Sequence, residues 1–152
     1  MKKFKWTYLA LIPFILCVLF LRGLGKLCGL TYKQISVIFN LWIQGAVLMI
    51  SGLFLWGAII YRYFNSNDIL WLCALILYMP IAYLYVYSFI KMLSHYHLPF
   101  DSAFDRCVID LKILALKWHT TYQVVNLLIF VLIFLLLLFL NIIIGYYILN
   151  IT

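Results

Sequence analysis

The sequence predicts an all-α integral membrane protein with three long transmembrane helices. A short N-terminal re-entrant or interfacial helix (or a fourth spanning one) and an amphipathic surface helix complete the fold. Three observations carry this. Residues 127–140 are fourteen consecutive positions without a polar side chain, and a helix apolar on every side suits lipid rather than water. The 152-residue chain is 68% hydrophobic and 10% charged, where soluble domains carry about 25% charged residues. The cations gather in the connections, the distribution that sets membrane orientation. One transmembrane bundle over residues 1–152 is expected, because the longest polar stretch, 91–123, is itself broken by apolar residues.

Residues 6–21 form the first apolar segment. Sixteen residues span about 24 Å as a helix, short of roughly 30 Å of hydrocarbon, and Pro13 weakens the middle. The preceding Met1-Lys2-Lys3-Phe4-Lys5 imitates a secretory signal. Leu21-Arg22-Gly23 follows in place of a small-x-small cleavage site, so retention is expected. Arg22, Gly23, Gly25, Lys26 and Gly29 then read as a connection at head-group level. Thr31 and Gln34 form a T-x-x-Q capping box that opens the second apolar helix, residues 32–63.

The polar turn Asn65-Ser66-Asn67-Asp68 separates it from the third, residues 69–89, with Pro80 near its centre. Pro99 breaks the chain again, and Asp101 or Ser102 is placed to cap an amphipathic helix over 102–118. Its apolar positions Phe104, Cys107, Val108, Leu111 and Ala115 share a face, and Arg106 and Asp110 stand at i,i+4. Three aspartates offset its three cations, so packing against the bundle is as plausible as a lipid-surface role. The last apolar helix covers 122–149, long enough to need tilt.

Thr31-Tyr32 and Thr121-Tyr122 both open long apolar helices after a partly basic amphipathic stretch. Both helices are therefore expected to enter the membrane from the same side.

Orientation follows from the cations. If residues 6–21 span, Lys2, Lys3, Lys5 and Arg62 oppose Arg22, Lys26, Lys33, Lys91, Arg106, Lys112 and Lys117, four against seven. If they do not, the split becomes ten against Arg62 alone, which obeys the positive-inside rule better. Connections 22–31 and 91–121 are then cytoplasmic and 64–68 lies outside. The net charge of +7 is read as topology and contact with anionic head groups. Without a basic face bearing stacking platforms, nucleic acid is not expected as a partner.

Ser36, Asn40, Gln44 and Ser51, spaced 4, 4 and 7, fall within about 80° on the second helix. Such a stripe must face protein or water. Asn126 and Asn141, fifteen apart on the last helix, are possible partners for it. Gly45 and Gly52 lie on a different face and suit close helix packing. Tyr78, Tyr83, Tyr85 and Tyr87 read as an aromatic belt.

His95, His97 and His119 do not form a convergent metal set by spacing, and Cys17, Cys28, Cys73 and Cys107 make no C-x-x-C pair. There is no nucleophile elbow and no phosphate loop. The expectation is a bacterial inner-membrane accessory subunit, not an enzyme and without cofactor or metal, that associates with itself or other membrane proteins. The alternative is an oligomeric pore lined by the Ser36, Asn40, Gln44 and Ser51 stripe. A third reading, a membrane enzyme or metal carrier, rests on the histidines and nearby aspartates.

Overall fold

The computed structural model describes residues 4–96 and 99–150, the side chains of 4–10 excepted. All regular structure among them is helical. Helix α1 runs Phe4–Cys28, α2 Tyr32–Ser66, α3 Ile69–His95, α4 Phe100–Lys117 and α5 Tyr122–Asn150. Four of these, all but α4, are long and apolar enough to cross a membrane.

The first helix corrects the sequence expectation. Arg22, Gly23, Gly25 and Lys26 continue α1 instead of leaving it, so it has 25 residues rather than sixteen. At about 37 Å its length does not prevent crossing. Lipid-compatible helices tolerate glycine, and here Gly25 backs so closely on the turn that a Cβ would stand 2.9 Å from the Leu30 carbonyl oxygen. The other boundaries move less. The long helix continues through Asn65 to Ser66, α3 extends six residues past 89, and α4 begins two residues before 102. Neither Asp101 nor Ser102 caps α4. Pro99 holds the N-cap position without a side-chain bond, and Asp101 lies in the first turn.

Both α1 and α4 end in the same motif. The Leu30 amide donates to the Gly25 carbonyl at 2.8 Å, and the Thr120 amide to the Ala115 carbonyl at 2.9 Å. Gly29 (φ 67°) and His119 (φ 52°) take the left-handed position that this Schellman turn requires. Thr31 and Thr121 then become N-caps. At Thr31 the full capping box forms, with Gln34 N–H donating to Oγ1 at 3.3 Å and Thr31 N–H donating to Gln34 Oε1 at 3.0 Å. At Thr121 Val124 stands where Gln34 would be, and the Thr121 hydroxyl is buried without a partner. Thr31→Ala should therefore cost about 1 kcal/mol, measurable by denaturant titration in micelles, and Thr121→Ala close to nothing.

The matched motifs lie 90 residues apart, Thr31 to Thr121, and the correspondence extends well beyond them. Phe14, Cys17, Val18, Leu21 and Leu24 recur as Phe104, Cys107, Val108, Leu111 and Leu114. All five positions fall on one helical face. A π-helical stretch interrupts α2 at Ile38–Ile43 and α5 at Leu128–Ile133, the same register in both. Those two stretches share only Ile43 and Ile133 in sequence, and no residue preference accounts for them.

Packing divides the chain into two compact units, Met1–Ile43 with Leu93–Ile133, and Gln44–Met92 with Phe134–Thr152. In the first unit α1 packs on the start of α5 while α4 packs on the start of α2. The aromatic pairs are reciprocal. Phe14 meets Tyr122 edge-on with centroids 6.0 Å apart, and Phe104 meets Tyr32 in the same way at 5.7 Å. Reciprocal contacts of this kind are what a two-fold relation produces. The core here is Leu111, Ala115 and Val125, with Leu21 and Ile35 buried at the matching places.

In the second unit α2 and α5 pack side by side. Ser51 touches Asn141, its own 90-residue counterpart. The apolar core is Leu55, Ala58, Ile59 and Ile148, flanked by Trp71, Leu75 and Tyr78 of α3.

Candidate functional site

The buried polar groups of the second unit converge on Asn141. Its Nδ2 donates to Ser51 Oγ at 3.0 Å and to the Tyr85 hydroxyl at 3.1 Å, and its Oδ1 lies 3.4 Å from that same hydroxyl. Ser51 Oγ donates in turn to the Leu48 carbonyl at 2.9 Å. One turn away the Tyr78 hydroxyl donates to the Gly52 carbonyl at 3.4 Å. Asn141 and Ser51 are buried. An amide in hydrocarbon is costly unless its hydrogen bonds are made, and these partners satisfy it.

Glycines admit the neighbours. A Cβ on Gly145 would stand 2.6 Å from Phe54 Cε1, and one on Gly52 2.6 Å from Tyr85 Cδ2. Gly45 backs in the same way on Met92 and Phe89. Gly45 and Gly52 thus both face α3, and Tyr85 reaches Asn141 over the gap that Gly52 leaves.

The remaining expected residues divide between the units. In the first, Ser36 is buried and accepts from Asn40 Nδ2 at 3.4 Å. Asn126, the counterpart of Ser36, donates to the Tyr122 hydroxyl of its own helix at 3.3 Å. Gln44 of the second unit is half-buried. Of the two asparagines proposed as partners for the stripe, Asn141 meets it at Ser51, while Asn126 bonds within its own helix.

Tyr78 and Tyr85, expected in an aromatic belt, are interior groups of the seam. Their spacing of seven, which places both on one helix face, was the available signal. The equal spacing of Ser36 to Ser51 and of Asn126 to Asn141, fifteen in each case, was the signal for the repeat.

A second polar cluster belongs to the first unit, where α3 ends against α4. Tyr96 donates to Asp110 Oδ2 at 2.9 Å, and His95 Nε2 lies 3.4 Å from the same oxygen. Arg106 Nη1 donates to the His95 carbonyl at 3.3 Å. Arg106 and Asp110, expected as a pair, thus serve separate partners. Burial and the bond to Asp110 push the Tyr96 phenol well above its usual range. Lys33 binds both oxygens of Asp105, at 2.9 and 3.1 Å, in an exposed bridge, worth little on its own. His119 occupies the left-handed turn position, and His97 lies outside the described residues. Among the described residues no three His, Cys, Asp or Glu side chains converge as a metal set.

Burial, with Asp110 adding to it, pushes the Cys107 thiol up to about 12. A raised pKa keeps the thiol neutral, so at pH 8 its thiolate fraction is roughly three orders of magnitude below that of a free cysteine. Iodoacetamide at pH 8 should modify the exposed Cys28 long before Cys107, read by peptide mass spectrometry.

No protein-family model, curated protein or solved structure matches the chain. Fold and site together define a class: an all-helical protein with four helices suited to a membrane and a buried polar seam.

Proposed function

We propose that the protein is a small accessory subunit of a bacterial inner membrane that works by helix association, with other membrane proteins or with a second copy of itself. The carrying observation is a contrast between inside and outside. The seam residues Ser51, Asn141 and Tyr85 are engaged with one another, and Tyr78 with the Gly52 carbonyl beside them. This is the chemistry of a packing seam, not of a water-lined lumen, and it leaves the outer surface for association. On α3, only Ala82 of 27 residues is buried. Leu77 and Leu84, seven apart and therefore on one face, are 74% and 56% exposed.

In this reading α2, α3 and α5 cross the bilayer within the apolar runs 32–63, 69–89 and 122–149, connections 22–31 and 91–121 are cytoplasmic, and 64–68 lies outside. Residues 44–66 measure about 34 Å as a helix, enough for the roughly 30 Å hydrocarbon layer.

Photo-crosslinking amino acids placed at Leu77 and Leu84, with Phe139 of α5 as comparison, test the association in native membranes. Adducts of one protein mass at both α3 positions are expected. A chain that crosslinks only to lipid, and leaves mild detergent extraction as a lone monomer, would overturn the reading.

A further inference from the structure

We infer that α1 and α4 are a matched pair of interfacial helices, lying flat at one leaflet with their outer faces on the phosphate region of the lipid. The inference deepens the three-span arrangement above but does not depend on any protein partner.

The first support is where the helices touch the first unit. Phe14 meets Tyr122 edge-on at the start of α5, while Gly29, fifteen residues later, adjoins Thr31 at the start of α2. Fifteen helical residues cover about 22 Å. Were α1 antiparallel to the long helices, Phe14 would reach that far along them. It meets Tyr122, the first helical residue of α5, instead, and Phe20 between the two ends meets Phe39, seven residues into α2, with α1 packed on the opening turns of both long helices. In α4, likewise, Phe104 meets Tyr32 and His119, again fifteen residues on, adjoins Thr121, while the Phe100 ring at the other end of the helix reaches Trp42. Both helices therefore lie across the N-terminal ends of α2 and α5, and the reciprocal contacts place them at one level.

The second support is charge. Helix α4 carries Asp101, Asp105, Arg106, Asp110, Lys112 and Lys117. Each would cost about 2.5–3.5 kcal/mol at the centre of a bilayer, so α4 does not enter hydrocarbon, and α1 at the same level does not cross it. Water does not suit α1 either. Ile12, Leu16 and Leu19 are 67%, 61% and 56% exposed along one side. Only the interfacial zone accepts both faces.

The third support is a matched cation. Arg22 of α1 and Lys112 of α4 occupy equivalent positions, beside the equivalent exposed pair Leu19 and Ile109. Lys26 and Lys117 follow within the last turn or so of each helix. Aliphatic groups dipping toward the acyl chains with cations alongside are complementary to anionic lipid.

The test uses the unmodified chain in vesicles of phosphatidylcholine and phosphatidylglycerol. One phosphatidylglycerol probe carries a photoreactive group at the head group, a second at the end of an acyl chain. Peptides 11–28 and 100–117 should both be labelled by the head-group probe, and peptides 44–66, 69–92 and 134–150 by the chain-end probe. Arg22→Gln with Lys112→Gln should lower head-group labelling of the first two peptides severalfold and leave chain-end labelling of the other three unchanged. Chain-end labelling of 11–28 would overturn the inference, as would absence of label on 100–117. Either result leaves the crosslinking test of association untouched.

Discussion

Gly145→Leu should separate α2 from α5 and produce the largest loss of stability of any single substitution considered. A Cβ alone would stand 2.6 Å from Phe54 Cε1 and 3.0 Å from Cδ1, and leucine adds three more carbons at that point. Overpacking a filled site costs typically 1–3 kcal/mol. Here the contact joins two helices, so a loss near the top of that range, about 3 kcal/mol, is expected. Gly52→Leu acts similarly by displacing the Tyr85 ring that binds Asn141. Gly57 is the control, since a Cβ there meets nothing within 4 Å. Gly57→Ala should stabilise by about 0.5–1 kcal/mol through helix propensity alone. Unfolding by dodecyl sulfate titration in mixed micelles separates the three, and equal midpoints for Gly145→Leu and wild type would refute the close approach.

Asn141→Leu should destabilise, although leucine is by far the better residue for lipid. The substitution removes two hydrogen bonds and leaves the Tyr85 hydroxyl without Asn141 in the interior. Membrane hydrogen bonds measured by double-mutant cycles average about 0.6 kcal/mol and reach about 1.7, and stranding a buried donor adds to that. A loss of roughly 1–3 kcal/mol is expected. A cycle with Ser51→Ala should show coupling between the two sites, since they are in direct contact. If Asn141 faced lipid instead, leucine would be neutral or stabilising. Asn126→Leu provides the comparison, with a bond only to Tyr122 of its own helix and an expected effect of about half a kcal/mol.

Much of the helical arrangement could be read from the chain because apolar run length is a direct consequence of bilayer thickness. Helices α2 and α5 fall within three residues of runs 32–63 and 122–149, and α3 begins with run 69–89 but continues six residues past it. The Thr31 cap is a local device, and its sequence signature became the observed geometry. Glycine misled the reading of α1. Gly23 and Gly25 usually mark a break, yet Gly25 stays helical because its missing side chain lets the chain fold back at Gly29.

The seam was half legible. Ser51 and Asn141 are costly residues in hydrocarbon, so each announces a need for a partner, but nothing local says which partner. Tyr85 was indistinguishable from its belt neighbours Tyr83 and Tyr87 without knowing that it opposes Gly52. The repeat shows in the sequence chiefly at Thr31-Tyr32 and Thr121-Tyr122, and its extent into α1 and α4 is hidden. Its five identical residues between Phe14 and Leu24 lie on the packed face of α1, while the outer face is aliphatic in α1 and largely charged in α4. Hydropathy therefore hides a likeness that contacts preserve.

The central claim is that three segments cross the bilayer while α1 and α4 remain at the cytoplasmic side. Compartment-specific labelling of single cysteines tests it most directly, at Thr7→Cys, Ser66→Cys and Lys117→Cys in right-side-out and inverted vesicles. The account predicts that positions 7 and 117 react from the cytoplasmic side and position 66 from the other. Position 7 reacting together with 66 would mean that α1 crosses after all, and positions 66 and 117 reacting from one compartment would contradict the whole arrangement.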